Sequence, residues 1–479
     1  MRISVAILAL CAIGLSACAS EVKPALAPLA PLVAAPSPAE PKPPARLQVE
    51  TRFVTLDNGL RVVMSRAPDV PTVSVGVYYG IGFRIEPRNR TGFAHLFEHL
   101  MFQGSANAPK GAFDTLIYRS GGVNNGSTTF DYTNYYEVVP SNALEAILWI
   151  EADRMARPVI DEAVLKNQQG VVANEVKVNV LNQPYGGWPW IDLPMLANTN
   201  WYNSHNFYGE LKEIEAATVK DSQEFFGKFY RPNNAVLVIA GDLDYAQTLA
   251  WVHQYFDAVP KGEAIVFPDI SEPRQEIEKF AAREDALAPK PGYAAGYHVP
   301  PRGSRDWFAM GLLDQILLQG EDSRLHKKLV EELGITGSVD GGINLIGTMF
   351  DYNGPMLWAL SFVHDGEKSP KELSAILDSV IESVRSQPIS QEELDRARTK
   401  LRSGLYDLVD SGTRFGLIDL LAAFALFDRD PSKINAIEQG FAEITPAQLQ
   451  ATAQDYLRPS NRSVMVINPG AKAGKGSAP

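Results

Sequence analysis

The chain has 479 residues, longer than the ~250–300 at which a single hydrophobic core stops growing, so at least two domains are expected. Its residues are 45% hydrophobic, 21% charged and 9% aromatic, which supplies large cores and excludes general disorder. A formal net charge of −12 excludes a typical nucleic-acid binder, which needs a basic patch to meet phosphates.

Arg2 precedes the apolar run 3–15, the charge-then-hydrophobe order of a secretory signal and too short for a comfortable membrane span. The run ends in Leu15-Ser16-Ala17-Cys18, which resembles the lipobox of bacterial lipoproteins. That resemblance implies cleavage after residue 17 and lipidation of Cys18; the alternative is an ordinary signal peptide cut near Ala19. Cys11 and Cys18 are the two cysteines, so the exported chain would have no disulfide and would be held by its core. Residues 19–46 contain eight prolines and no aromatic residue, a composition that cannot bury a core and predicts an extended tether. No later segment has the ~18 consecutive apolar residues of a membrane span.

Beyond the tether, 52–56, 60–65 and 72–79 read as strands, with Asp57-Asn58-Gly59 turning the chain between the first two. Segments 122–128 and 133–139 read as further strands, 142–155, 162–180 and 218–230 as helices, and 235–240 as a closing strand. The second half repeats this ending. Tyr230-Arg231-Pro232-Asn233-Asn234 leads into 235–239, and 227 residues later Leu457-Arg458-Pro459-Ser460-Asn461 leads into 462–466. Thr218 and Thr445 stand at the same offset, each before a helix. A repeat this long predicts duplicated α+β domains, because solenoid repeats are much shorter. The expected organisation is a signal peptide at 1–17, a lipidated cysteine and tether at 18–46, a metal-binding domain at 47–260, a polar, proline-containing linker at 261–290, a second domain without the metal motif at 291–470, and a flexible tail at 471–479. The fold class is α+β, two tandem αβ sandwiches of similar build.

The segment Thr91-Gly92-Phe93-Ala94-His95-Leu96-Phe97-Glu98-His99-Leu100-Met101-Phe102 is the most informative. On a helix, His95 and His99 lie four residues apart on one face, so both imidazoles can reach one metal ion. Glu98 lies beside them, placed to take a proton from an attacking water. Imidazole with a carboxylate suits zinc, which in catalytic sites takes three protein ligands and keeps one position open. Without a metal, this helix would bury two imidazoles and a carboxylate with no partner. Glu175 is a candidate third ligand, although spacing alone does not select it from the other acidic residues.

His95-Leu96-Phe97-Glu98-His99 is the inverted zinc motif of the inverzincins. Over nearly its whole length after the tether, the chain resembles the family of pitrilysin, insulysin and mitochondrial processing peptidase. The resemblance implies Glu175 as the third ligand, one Zn2+ per chain, and endopeptidase activity on peptides or unfolded polypeptides. Residues 121–128, followed by Thr133-Asn134-Tyr135-Tyr136, are similar to the family's substrate-binding edge strand, with Asn125 and Gly126 at its usual Asn-Ala pair. An edge strand lets an extended peptide add as one more strand. Two departures stand out. Many members have an auxiliary glutamate two helical turns before the ligand, where this chain has Gln168, and an Arg and a Tyr in the second domain, where it has Val330 and Gly337. The implied protein is a lipid-anchored periplasmic zinc endopeptidase at the outer membrane, paired as a heterodimer with a related chain that supplies the Arg/Tyr pair. The alternative is a non-catalytic lipoprotein subunit with an assembly or peptide-binding role. The second-domain helix 305–318 has no histidine and reads as structural, and His205, His253, His298, His326 and His364 read as surface or packing residues.

Overall fold

The computed structural model describes residues 46–470, so the signal peptide, Cys18, the tether and the tail lie outside the described residues. The first sheet has six strands, β1 (Arg52–Thr55), β2 (Arg61–Arg66), β3 (Thr72–Tyr79), β4 (Val123–Thr128), β5 (Thr133–Pro140) and β6 (Ala235–Gly241). The turn after β1 forms because Gly59 takes φ +90° and the Asn58 side chain accepts the Leu60 amide at 3.1 Å. The second sheet has five strands, β7 (Lys279–Asp285), β8 (Gly292–His298), β9 (Asp340–Ile343), β10 (Leu357–Val363) and β11 (Arg462–Pro469).

Their orders are β1-β2-β6-β3-β5-β4 and β7-β11-β8-β10-β9. Apart from β1, the two are the same topology. β2 pairs parallel with β6, and β7 pairs parallel with β11. This corrects the linker assignment: residues 279–285 are the counterpart of β2, so the second domain begins before 291. The alternating exposure of β7, an edge strand beside one neighbour, gives it the polar look of a connector.

The helices that matter to the site are α1 (Phe93–Leu100), α2 (Glu162–Val176), α3 (Asp192–Ala197), α4 (Val219–Phe229), α5 (Arg305–Leu317), α6 (Phe415–Ala423) and α7 (Pro446–Tyr456). The repeated threonines cap α4 and α7, Thr218 accepting the Asp221 amide and Thr445 the Gln448 amide. The repeated asparagines close the same helices, Asn234 donating to the Phe229 carbonyl at 2.8 Å and Asn461 to that of Tyr456 at 2.7 Å. The long helix predicted over 162–180 is α-helical to Val176 and then widens through one turn, Lys177–Leu181.

The halves also exchange a helix. α3, from the first half, packs on β8 and β11, while α6, from the second, packs on β3 and β6. Glycines admit both: a Cβ at Gly296 would lie 3.0 Å from Leu193, and one at Gly76 would lie 3.1 Å from Ile418. Trp188, just before α3, donates its indole N–H to the Met465 carbonyl at 3.1 Å. The domains are therefore not two contiguous blocks divided at 260. Among the described residues, no helix is long and apolar enough to cross a membrane.

Candidate metal centre

α1 starts at Gly92, whose φ of +82° turns the chain into the helix. Gly209 lies against it so closely that a Cβ there would come within 2.4 Å of the Gly92 Cα. Phe93, Leu96, Phe97 and Leu100 are wholly buried, and Phe97 packs on Phe225 and Tyr230 with ring centroids 4.9 and 5.0 Å apart. That packing fixes the rotation of the helix. His95 is buried, whereas Glu98 and His99 are half-buried on the open side.

α2 packs beside α1 and brings Glu175 to the histidines. The two Nε2 atoms of His95 and His99 are 3.3 Å apart, and Glu175 places Oε1 at 3.5 Å from His95 and Oε2 at 3.2 Å from His99. Two nitrogens each about 2.0–2.1 Å from one tetrahedral ion stand about 3.3 Å apart, so these donors have the separations of a zinc ligand set. Among the described residues, this is the only group of three His, Cys, Asp or Glu side chains with converging ligand atoms. The histidines hold the Glu175 carboxyl well below the usual carboxylate range, His95 first and then His99, so it stands ready as an anionic ligand.

Several supporting residues were not legible in the sequence. Thr128 Oγ1 donates to Glu98 Oε2 at 2.7 Å. Tyr208 donates to Glu175 Oε1 at 3.2 Å and lays its ring 4.9 Å from His95. Burial raises its phenol, so it remains a donor. Glu86 accepts the amides of Gly92 and Ala94 at the start of α1. Thr128 had one signal, its place in the quoted edge strand; Tyr208 and Glu86 had none.

β4 is the edge of its sheet and pairs only with β5, so Asn125 and Gly126 lie where an extended peptide could add. Gly126 has a local reason, since a Cβ there would meet Phe102 at 3.1 Å and the Asn134 carbonyl at 3.2 Å. Gln168 is buried and donates to Asn167 at 2.8 Å, a neutral amide. Gly337 is exposed with open space around its Cβ position, and Val330 is half-buried in the widened turn Lys327–Glu332. Neither offers a polar side chain.

Residues 61–185 match the family model described as Insulinase (Peptidase family M16), and residues 216–401 match Peptidase M16 inactive domain. The zinc protease PqqE of Helicobacter pylori is 25% identical over 427 residues, covering 87% of this chain and 92% of that protein. The mitochondrial-processing peptidase subunit beta of Saccharomyces cerevisiae is 23% identical over 374 residues, 76% of this chain and 79% of that one. Among solved structures, a protease from Helicobacter pylori has a TM-score of 0.80 at 23% identity, covering 88% of this chain and 100% of that chain. The periplasmic protease PqqL of Escherichia coli has a TM-score of 0.68 at 19% identity, covering 88% of this chain but 48% of that one. These structures share the two-domain fold, and with both M16 domains matched in order the chain belongs to peptidase family M16.

Proposed function

We propose that this chain is a zinc endopeptidase acting on peptides or unfolded polypeptides. The observation that carries this reading is the convergence of His95, His99 and Glu175 beside Glu98, which is itself held by Thr128 from the open edge strand. Zinc held by these three ligands would supply a Lewis acid for the scissile carbonyl and favour ionisation of the attacking water. Glu98 accepts the water proton and delivers it to the leaving amine. The hydroxyl of Thr128 engages one Glu98 oxygen and leaves the other free for the proton. β4 orients the substrate through its unpaired backbone edge, giving affinity with little sequence selectivity.

The anchor and the partner belong to the same proposal. The lipobox at 15–18 supports lipidation of Cys18 and a periplasmic, outer-membrane location. Two observations support a heterodimer: the matching PqqL chain is about twice as long as the region this chain covers, and Val330 and Gly337 leave no Arg/Tyr pair. A related chain with that pair would complete the site. The test is purification of the native complex from membranes, with zinc content, subunit masses and cleavage of an unfolded polypeptide measured on one sample. Zinc with cleavage and a second polypeptide is the expected result. Zinc without cleavage of any peptide would favour the non-catalytic alternative, and full activity without a second chain would remove the partner.

A further inference from the structure

The zinc helix is held at its start by a buried carboxylate that the proposed chemistry does not use. Glu86 is 0% exposed and accepts the Gly92 amide at Oε2 (2.8 Å) and the Ala94 amide at Oε1 (2.6 Å). Both oxygens therefore face the N-terminal end of α1, where free amides and the helix dipole favour a negative charge. His205 Nε2 lies 3.9 Å from Glu86 Oε2, and its ring stacks on Trp201 with centroids 4.4 Å apart.

The His205 ring sits between two carbonyl oxygens, Nδ1 at 2.9 Å from that of Trp201 and Nε2 at 3.0 Å from that of Phe83. A carbonyl oxygen only accepts, and a neutral imidazole has a single N–H. Either neutral tautomer would therefore aim a lone pair at an oxygen about 3 Å away, whereas an imidazolium donates to both. We propose that Glu86 and His205 form a buried carboxylate–imidazolium pair that positions the zinc helix, with His205 doubly protonated at neutral pH.

Burial is the largest influence on both groups and opposes both charges: with their hydrogen bonds in place the His205 imidazole is still pushed down and the Glu86 carboxyl up to about 8. The hydrogen-bond geometry argues the other way, with two carbonyl oxygens facing the ring nitrogens and two amides facing the carboxylate. Glu213, bound to the Thr91 amide and hydroxyl, favours a positive His205 and opposes a negative Glu86. Arg84 opposes the imidazolium but is itself engaged by Asp131 and Asn203. With Glu86 ionised and His205 neutral, Glu86 and Glu213 would repel each other while Arg84 is already paired with Asp131 and Arg88 lies over the Trp201 ring at 5.0 Å. The pair also links the two carriers of the site: Glu86 fixes the start of the helix with His95, Glu98 and His99, and His205 lies three residues before Tyr208, which holds Glu175.

Its consequence for turnover rests on the peptidase reading; the charge state does not, and can be tested without substrate or metal. Nitrogen NMR of the full chain labelled with 15N-histidine, with His205 assigned by loss of its signals in His205→Gln, should show both ring nitrogens protonated from about pH 6 to about pH 8. In Glu86→Gln the ring should become neutral. A neutral tautomer in the parent at pH 7 overturns the pair, and the parent measurement decides even if the variant fails to fold. For positioning, Glu86→Gln should weaken zinc binding about tenfold or more, and the double variant Glu86→Gln/His205→Gln should bind no worse than that single variant. Additive losses, or a single variant with unchanged affinity, would overturn the positioning role.

Discussion

The two halves share one strand order and place a helix after the corresponding strand, α1 after β3 and α5 after β8, yet among the described residues only the first holds a ligand set. α5 is covered on nearly every side, with Trp307, Ala309, Met310, Leu312, Leu313 and Leu317 buried beneath α7 and the helix Gln391–Val409. Its one buried acid, Asp314, serves the core by accepting the Trp358 indole N–H at 2.7 Å. α1 is also largely buried, His95 included, but Glu98 and His99 stay half-buried on the side that faces α2, the Tyr208 loop and β4. Duplication supplied two copies of the scaffold. The converging ligand atoms belong to the copy whose helix carries two histidines and keeps Glu98 and His99 half-buried towards α2 and β4, whereas α5 fills the corresponding place with apolar side chains.

That contrast breaks most completely if Glu98 is dispensable. Glu98→Gln should retain zinc while turnover falls about 10²–10⁴-fold; zinc-loaded variant cleaving at the parental rate would remove the catalytic assignment of the first half. Glu175→Gln comes next, because it removes a ligand rather than a base. Metal titration should show zinc affinity lowered by at least about 100-fold, and an unchanged affinity would mean the third ligand lies elsewhere. Thr128→Val deletes the hydroxyl on Glu98 without altering the strand. Its kcat should drop about tenfold at constant KM and zinc content, and Thr128→Ser should recover it; equal loss in both variants would make Thr128 merely a packing residue.

The second half should respond in stability rather than in cleavage. Burial pushes the Asp314 carboxyl up to about 6. Its unfolded value is near 4, so the folded state binds more protons between these values and loses stability as pH rises from about 4 to about 6. Asp314→Asn should therefore gain stability over the parent across that window, by up to about 3 kcal/mol at pH 7, with cleavage within about twofold. Urea unfolding at the two pH extremes measures the first, and a large loss of activity would show that the second half takes part in the chemistry. Gly126→Ala should have the smallest effect. Phe102 must give by a few tenths of an ångström, and KM for an unfolded polypeptide should change less than about threefold. A larger change would mark this position as a determinant of substrate binding.

The histidine pair, the strand at 72–79 and the paired caps at Thr218 and Thr445 were settled by the sequence alone, because each follows from spacing within a few residues. Helical geometry puts positions four apart on one face wherever the helix lies, and a threonine can cap whatever the helix later packs against. Other features were decided by the tertiary structure. β7 reads as a connector until β11 lies beside it, and α3 and α6 show nothing in their own residues of the sheets they cross to cover. His205 reads as one more packed histidine. Its role depends on the Phe83 carbonyl 122 positions away and on Glu86, and Tyr208 reaches Glu175 across 33 positions. A buried polar group takes its charge and its role from whichever partners folding places around it, and those partners lie beyond the range of any local pattern.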